Sequence, residues 1–253
     1  MLALERQKKI LELLKSEGAV MVSKLSAELG VTDETVRRDL EKLEANEQLR
    51  RTHGGALPID EGSYELSFER RKVLHVEEKQ ALANRAVQYI ASGDSIFLDA
   101  STTTFYMAKE IKNMKNLTVI TNSIRIINEL AGADGIKVIA VGGMVSDNQS
   151  FVGAMAEKNI AENYFADKMF FSSKGVGDNY TILEGNEQEC YIKQRMIANA
   201  RSRYYLCDKS KIGRVGYMKL TSLENIEYLI TDAQLSEEFS DAMKENNVEV
   251  ITI

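Results

Sequence analysis

Two groups of side chains have types and spacings that could do chemistry. In the first, Thr32 and Thr35 precede Arg37, Arg38 and Lys42, with Ser23 before them and Arg51 and His53 after. Hydroxyls and guanidinium groups on one short helix suit a polyanion. Arginine can reach guanine O6 and N7 bidentately, while lysine and hydroxyls take phosphate oxygens. The second group recurs where apolar runs end: Asp99-Ala100-Ser101-Thr102-Thr103, Thr121-Asn122-Ser123, Gly142-Gly143, Ser172-Ser173-Lys174-Gly175 and Asp208-Lys209-Ser210-Lys211. Amide and hydroxyl donors with a lysine suit a phosphate, and carboxylates and amides suit sugar hydroxyls, so the mixture fits a sugar phosphate.

The elements that must position the first group are short helices. Leu4, Ile10, Leu11, Leu13 and Leu14 give an amphipathic helix to about Glu17, stopped by Gly18. Val20-Met21-Val22 reads as a short strand, and Ser23 as the N-cap of a helix Lys24–Leu29 closed by Gly30. Thr32 caps a third helix, Asp33 to about Leu43, with Val36, Leu40 and Leu43 as its buried stripe. Thr35, Arg38 and Lys42 then fall on the opposite face, with Arg37 on its flank. Two helices around a Gly-containing turn make a helix-turn-helix. The segment Leu49–Ala56, with Gly54-Gly55 as its turn, makes a wing whose arginines meet phosphates. The competing reading is a three-helix interaction module in which Arg37 and Arg38 merely pair with Asp33, Glu34 or Glu41.

The second group needs a sheet. Strands are expected at Ser95–Asp99, Leu117–Thr121, Ile136–Val141, Lys168–Ser172, Arg203–Cys207, Ile226–Thr231 and Val248–Ile253. Helices fit before and between them: Glu77–Ile90, Thr103–Lys112, Ile124–Ala131, Glu184–Ala200 and Leu235–Asn246. Near-continuous apolar strands alternating with helices predict a mostly parallel sheet covered on both faces, whose ligands sit at the carboxyl ends of strands. Taken singly, each residue has a plainer reading. Ser101, Thr102, Asn122 and Ser123 could cap helices, Gly142-Gly143 could only turn the chain, and Lys174 and Lys211 could be solvated. His75 reads as a surface residue and the two cysteines as apolar fillers. Convergence of five strand ends on one edge is the stronger argument.

Composition bounds the rest. The 253 residues are 44% hydrophobic and 28% charged, enough apolar content for a core. A net charge of −6 argues against a nucleic-acid binder, but the first 57 residues hold ten basic and ten acidic side chains, so the negative excess lies behind them. The lone Pro58 and the polar stretch after it place a boundary near residues 56–63. The expected division is a DNA-binding domain 1–57, a linker 58–75 and a sensing domain 76–253. Cys190 and Cys207 give no disulfide framework and no metal-ligand pair, and no apolar run is long enough for a membrane span. With a charged amino end, the expectation is a cytoplasmic protein with no metal, cofactor or membrane partner.

Val31-Thr32-Asp33-Glu34-Thr35-Val36-Arg37-Arg38-Asp39-Leu40 and Arg51-Thr52-His53-Gly54-Gly55-Ala56 resemble the signature of the DeoR family of bacterial sugar-metabolism regulators. The resemblance implies that the first block is the recognition helix and the second belongs to the wing. It extends to the strand ends, which look like landmarks of a sugar-phosphate-isomerase-like effector domain. Ser101 stands where the family has glycine, and Asn46-Glu47-Gln48 where a glycine is often found. Glu189 and Lys193 match a Glu/Lys pair of the family. Their plainer reading is a surface i,i+4 ion pair. What the resemblance implies is a repressor of a sugar operon. It would bind double-stranded operator DNA as a homodimer or homotetramer and answer to a phosphorylated sugar. The alternative is an isomerase-like enzyme, with Asp99, Glu184, Glu187 or Glu189 as its base.

Overall fold

The protein is described by a computed structural model covering residues 2–46, 48–58 and 66–253. It divides into two compact units, Met1–Arg70 and Arg71–Ile253. Glu47 and residues 59–65, where part of the expected boundary falls, lie outside the described residues.

In the first unit the order is α1 (Ala3–Glu17), β1 (Val20–Met21), α2 (Val22–Leu29), α3 (Asp33–Ala45), β2 (Arg50–Arg51) and β3 (Gly55–Leu57). Ile10, Leu14, Leu25, Val36, Leu40 and Leu43 close one apolar core. Truncating any of the leucines to Ala there would cost about 2–5 kcal/mol. Thr32 caps α3 as expected, its hydroxyl accepting from Thr35 N, and Asp33 and Glu34 complement the helix dipole in the first turn. Ser23 is not a cap. It lies inside α2, which starts at Val22 directly after β1. The Gly54 carbonyl accepts from Val22 N at 2.8 Å, so the wing supplies an acceptor for the first turn of α2.

The wing is a small antiparallel sheet of order β1-β3-β2. Gly55 works differently from the expected turn residue. It pairs with Met21 in β3, and a Cβ there would lie 1.8 Å from the Val20 carbonyl oxygen. Its missing side chain permits the close approach of two strands, and the turn itself is residues 52–54.

The stretch expected as linker contains a helix, α4 (Phe68–Val73), which runs across the division between units. Next come α5 (Val76–Val87), β4 (Ser95–Leu98), α6 (Thr102–Ile111), β5 (Leu117–Thr121), α7 (Ile124–Leu130) and β6 (Ile136–Ala140). A hairpin of β7 (Met144–Val145) and β8 (Phe151–Val152) precedes α8 (Ala154–Asn163) and β9 (Ala166–Phe171). Then follow β10 (Gly175–Val176), β11 (Ile182–Glu184), α9 (Glu187–Ala198), β12 (Ala200–Cys207) and β13 (Met218–Thr221). The chain finishes with β14 (Tyr228–Thr231), α10 (Glu237–Glu245) and β15 (Glu249–Thr252).

All seven expected strands form one parallel sheet of order β15-β14-β12-β9-β4-β5-β6. Successive residues Ile96, Phe97 and Leu98 of β4 point to opposite faces and are all buried, so both faces are covered. From β4 the chain proceeds outward through β5 and β6, then returns to build β9, β12, β14 and β15 on the other side. The order therefore reverses between β4 and β9, and a crevice at such a reversal holds ligands in open α/β sheets. The helix expected from Glu184 starts only at Glu187. Glu184 ends β11, which pairs with β10 and β13 in a separate antiparallel sheet, and Asn186 caps α9.

Candidate functional site

The DNA-facing candidates lie on one side of α3 and its N-cap, on the wing and, for Ser23, on α2. Val36, Leu40 and Leu43 hold α3 to the core, leaving Arg37, Arg38 and Lys42 exposed and Thr35 half-buried. Arg38 donates to Glu34 at 3.2 Å, but its side chain is 73% exposed, and such a pair contributes only ~0.3–0.5 kcal/mol. The guanidinium is readily released to a partner. Thr32 spends its hydroxyl on the cap and on Thr35, 2.9 Å away. Arg51 is tied to Glu44, its amide 2.8 Å from the carboxylate, while His53 and Ser23 are exposed. The structure adds Asp39. It is buried on α3, receiving Arg6 Nε at 2.5 Å and Gln7 Nε2 at 3.0 Å from α1. That pair fixes the roll of α3. The signal was its place beside Leu40 within the stripe.

In the second unit the carboxyl ends of the strands carry a buried polar network across the reversal point. Asp99, just after β4, is fully buried. Its Oδ1 accepts from the Ser101 hydroxyl at 2.7 Å and the Thr104 hydroxyl at 2.8 Å, and its Oδ2 faces Lys193 Nζ at 3.0 Å. Lys193, on α9, also donates to Glu184 at 2.5 Å and to the Ser172 carbonyl after β9 at 2.9 Å. Burial alone would lower the Lys193 pKa; Glu184 and Asp99 outweigh it and raise the pKa above its ordinary value. Glu189 points to another loop, accepting from Asn122 at 3.2 Å, Asn148 at 3.3 Å and the Ser150 hydroxyl. The two residues are therefore no surface pair. Each is buried and held by different loops.

On the β12 side, Lys211 donates to the Ser172 hydroxyl at 2.5 Å and the Ser173 carbonyl at 2.9 Å. Its pKa is lowered, chiefly by burial. Asp208 caps the turn Lys209–Lys211, and its Oδ2 stands 4.0 Å from Lys211 Nζ. Burial would raise the Asp208 pKa, but Lys211, the Ser210 hydroxyl and Lys79 together outweigh that and lower it. Lys79, on α5, is electrostatically coupled to Lys211 and Asp208; burial first, then Lys211, bring it down to about 8.

The strand-end candidates do not all enter this network. Ser101 reaches it only through Asp99 in its own loop, where its hydroxyl also caps α6. Ser123 caps α7 through Ile126 N. A Cβ on Gly143 would meet Ala156 at 2.8 Å and the Val152 carbonyl at 2.9 Å, so that glycine admits α8. Gly142 has open space where a Cβ would go. Lys174 is half-buried, with its amide on the Leu183 carbonyl at 3.1 Å. Thr102 and Thr103 open α6 and are buried. Among the described residues three buried side-chain atoms have no hydrogen-bond partner: Thr103 Oγ1, Asn122 Oδ1 and Asp208 Oδ2. Thr103 lies in the first turn of α6, which follows β4, and Asn122 and Asp208 directly follow β5 and β12. Network members absent from the expected site are Lys79, Thr104, Asn148, Ser150 and Glu184. Lys79 had a visible signal, since it shares a helical stripe with Leu82, Ala83 and Ala86. No group of side chains suited to a metal ion occurs among the described residues.

An exposed arginine-bearing helix in a winged helix-turn-helix, followed in the chain by a parallel α/β unit, defines a DNA-binding protein of the helix-turn-helix class. Residues 6–61 match the DeoR-like helix-turn-helix domain and residues 74–233 the DeoR C terminal sensor domain. The chain belongs to the DeoR family. It is 40% identical over 254 residues to the HTH-type transcriptional regulator YulB of Bacillus subtilis, covering 100% of this chain and 98% of that protein. It is 36% identical over 234 residues to a lactose phosphotransferase system repressor of Streptococcus mutans, covering 91% and 92%. A solved structure of D-ribose-5-phosphate isomerase in complex with phospho-erythronic acid is similar over 54% of each chain, at 16% identity and a TM-score of 0.40. The named relatives are transcriptional regulators and repressors, and this chain is a transcription regulator of the same family. No helix among the described residues is long and apolar enough to cross a membrane.

Proposed function

We propose that this regulator represses a sugar-metabolism operon in the cytoplasm and responds to a phosphorylated sugar held at the strand-end network. Residues 1–57 read the operator, 58–75 link, and 76–253 sense. Operator contacts come from Ser23, Thr32, Thr35, Arg37, Arg38 and Lys42, with Arg51 and His53 on the wing. The chain acts as a homo-oligomer, dimer or tetramer, because one near-neutral head binds duplex weakly and paired heads gain from effective concentration. The lactose phosphotransferase system repressor among the relatives supports the sugar assignment.

The observation that carries the ligand reading is the set of three orphaned buried atoms, Thr103 Oγ1, Asn122 Oδ1 and Asp208 Oδ2. Native proteins leave few such atoms, because each costs about 1–3 kcal/mol. A polyol supplies donors to the amide and carboxylate oxygens. The first two N–H groups of α6, which have no intrahelical partner, together with the Thr103 hydroxyl and Lys211, suit its phosphate.

Thr103→Val separates this reading from a purely structural one. The unliganded variant should be as stable as the wild type or up to about 1 kcal/mol more so, since an unpaired hydroxyl is removed. Its thermal shift with a panel of aldose and ketose phosphates should shrink, while duplex affinity without ligand stays put. A wild-type chain that no sugar phosphate stabilises would sink the sensor reading.

A further inference from the structure

Two asparagines donate their side-chain amides to one buried carboxylate. Asn148 Nδ2 reaches Glu189 Oε1 at 3.3 Å, and Asn122 Nδ2 reaches Glu189 Oε2 at 3.2 Å. Their oxygens differ. Asn148 Oδ1 accepts from Arg71 at 3.1 Å, whereas Asn122 Oδ1 is buried without a hydrogen-bond partner.

The surroundings dictate which way the Asn122 amide lies. Its nitrogen faces two acceptors, Glu189 Oε2 and, at 3.4 Å, the Phe151 carbonyl. Turning the amide over would set its oxygen against both. The neighbouring backbone is fixed, since the Asn122 carbonyl accepts from Phe151 N at 2.7 Å and the Gln149 carbonyl from Ile124 N at 3.0 Å. Glu189 is held as well. It stands in the first turn of α9, its amide donating to Asn186 Oδ1 at 3.0 Å, and its Oε1 also accepts from the Ser150 hydroxyl. Oε1 therefore serves the hairpin loop, and Oε2 serves Asn122.

We propose that Glu189 is a positioning residue for effector specificity. By occupying the amide nitrogen it leaves Asn122 able only to accept. The site then takes a sugar phosphate with a hydroxyl at the facing carbon and refuses one with an acceptor there, such as a carbonyl or a halogen. This rests on reading the network as a sugar-phosphate site.

The test uses full-length protein in thermal-shift titrations with ribose 5-phosphate, glucose 6-phosphate and fructose 6-phosphate. Monodeoxy and monofluoro analogues of the tightest of these follow, because fluorine accepts weakly and cannot donate. For the wild type, at one carbon, loss of the hydroxyl or its exchange for fluorine should weaken binding roughly tenfold or more. In E189Q the glutamine oxygen can keep Asn148 and Ser150, which leaves its nitrogen against that of Asn122. The Asn122 amide should then turn over and offer a donor, so that at the same carbon the fluoro analogue gains on the deoxy analogue. The exchange N122D/E189Q rebuilds an acceptor facing the ligand and should return the wild-type order. These are ratios between ligands on one protein, so a merely loosened fold does not move them. If E189Q weakens parent, deoxy and fluoro forms by one common factor, Glu189 has no part in specificity. A wild type that binds the analogues as well as the parent overturns the proposal and leaves the sensor reading intact. Should E189Q not fold, the double variant decides: failure to discriminate as the wild type does overturns the proposal. A wild type that no sugar phosphate stabilises defeats the sensor reading, and this proposal with it.

Discussion

A lysine whose ammonium is buried against two backbone carbonyls and beside a second lysine holds its proton poorly. Lys79 is that residue: burial first, then Lys211, bring its pKa from 10.5 to about 8. Below about 8 it is charged in both folded and unfolded chains, and the cost of burying that charge is fully present. Between about 8 and 10.5 the unfolded chain binds the proton more than the folded one, so stability rises with pH over that window. Wild-type protein should therefore gain stability relative to Lys79→Met as pH rises from about 8 toward 10.5, measured by urea denaturation of both. A difference that stays flat would mean the lysine is not strained by its surroundings. The cysteines answer differently: burial pushes Cys190 to about 11 and Cys207 to about 12, so neither is a ready thiolate near neutral pH.

At the scale of elements, the wing depends on two backbones that nearly touch. Gly55→Ala would place a methyl 1.8 Å from the Val20 carbonyl, forcing β1 and β3 apart. The expected result is about 1–3 kcal/mol of destabilisation confined to the first unit, with duplex affinity reduced and the ligand-induced thermal shift of the second unit retained. Differential scanning calorimetry with a parallel DNA-binding assay would check both. The same scale explains what could be read in advance. The seven strands of the parallel sheet were legible as largely apolar runs of four to eight residues; the central ones are buried on both faces, while the edge strands β6 and β15 are only partly buried. The cap of α3 was legible because Thr32 carries the signal locally, whereas those of α6 and α7 stood only as the plainer alternative, open between Ser101 and Thr102 and between Asn122 and Ser123. The strands β7, β8, β10, β11 and β13 were not, since segments of two to four residues hold too little pattern. Of the α8 sequence, only Ala156 and Ile160 are buried, too thin a stripe to mark a helix. Ser23 misled because a serine before an apolar-periodic run imitates a cap, whereas the wing's Gly54 carbonyl accepts from Val22 N. Glu189 and Lys193 hid for a related reason. Their spacing suggests a surface pair, and their true partners arrive from loops far away in the chain.

At the scale of the whole molecule, net charge and binding charge are separate quantities. The chain is −6 overall, yet its first 57 residues balance, and exposed Arg37, Arg38, Lys42 and Arg50 gather on α3 and the wing. Duplex affinity should fall on the order of 10³-fold as salt rises from about 50 to about 200 mM, if paired heads neutralise six or more phosphates. Fluorescence anisotropy over a salt series measures the slope, and a flat profile would argue against groove binding. The sheet order bears on the sequence in which a ribosome delivers this protein. The first unit, with its own core, is complete once its residues emerge. The second cannot close around β4 until β9 is made, since Ser95 waits for Asp167, 72 residues later. A prematurely terminated chain would thus keep the DNA-gripping half and lack the half that takes orders. Nonsense mutations beyond the wing should accordingly leave a folded head whose weak duplex binding no ligand alters.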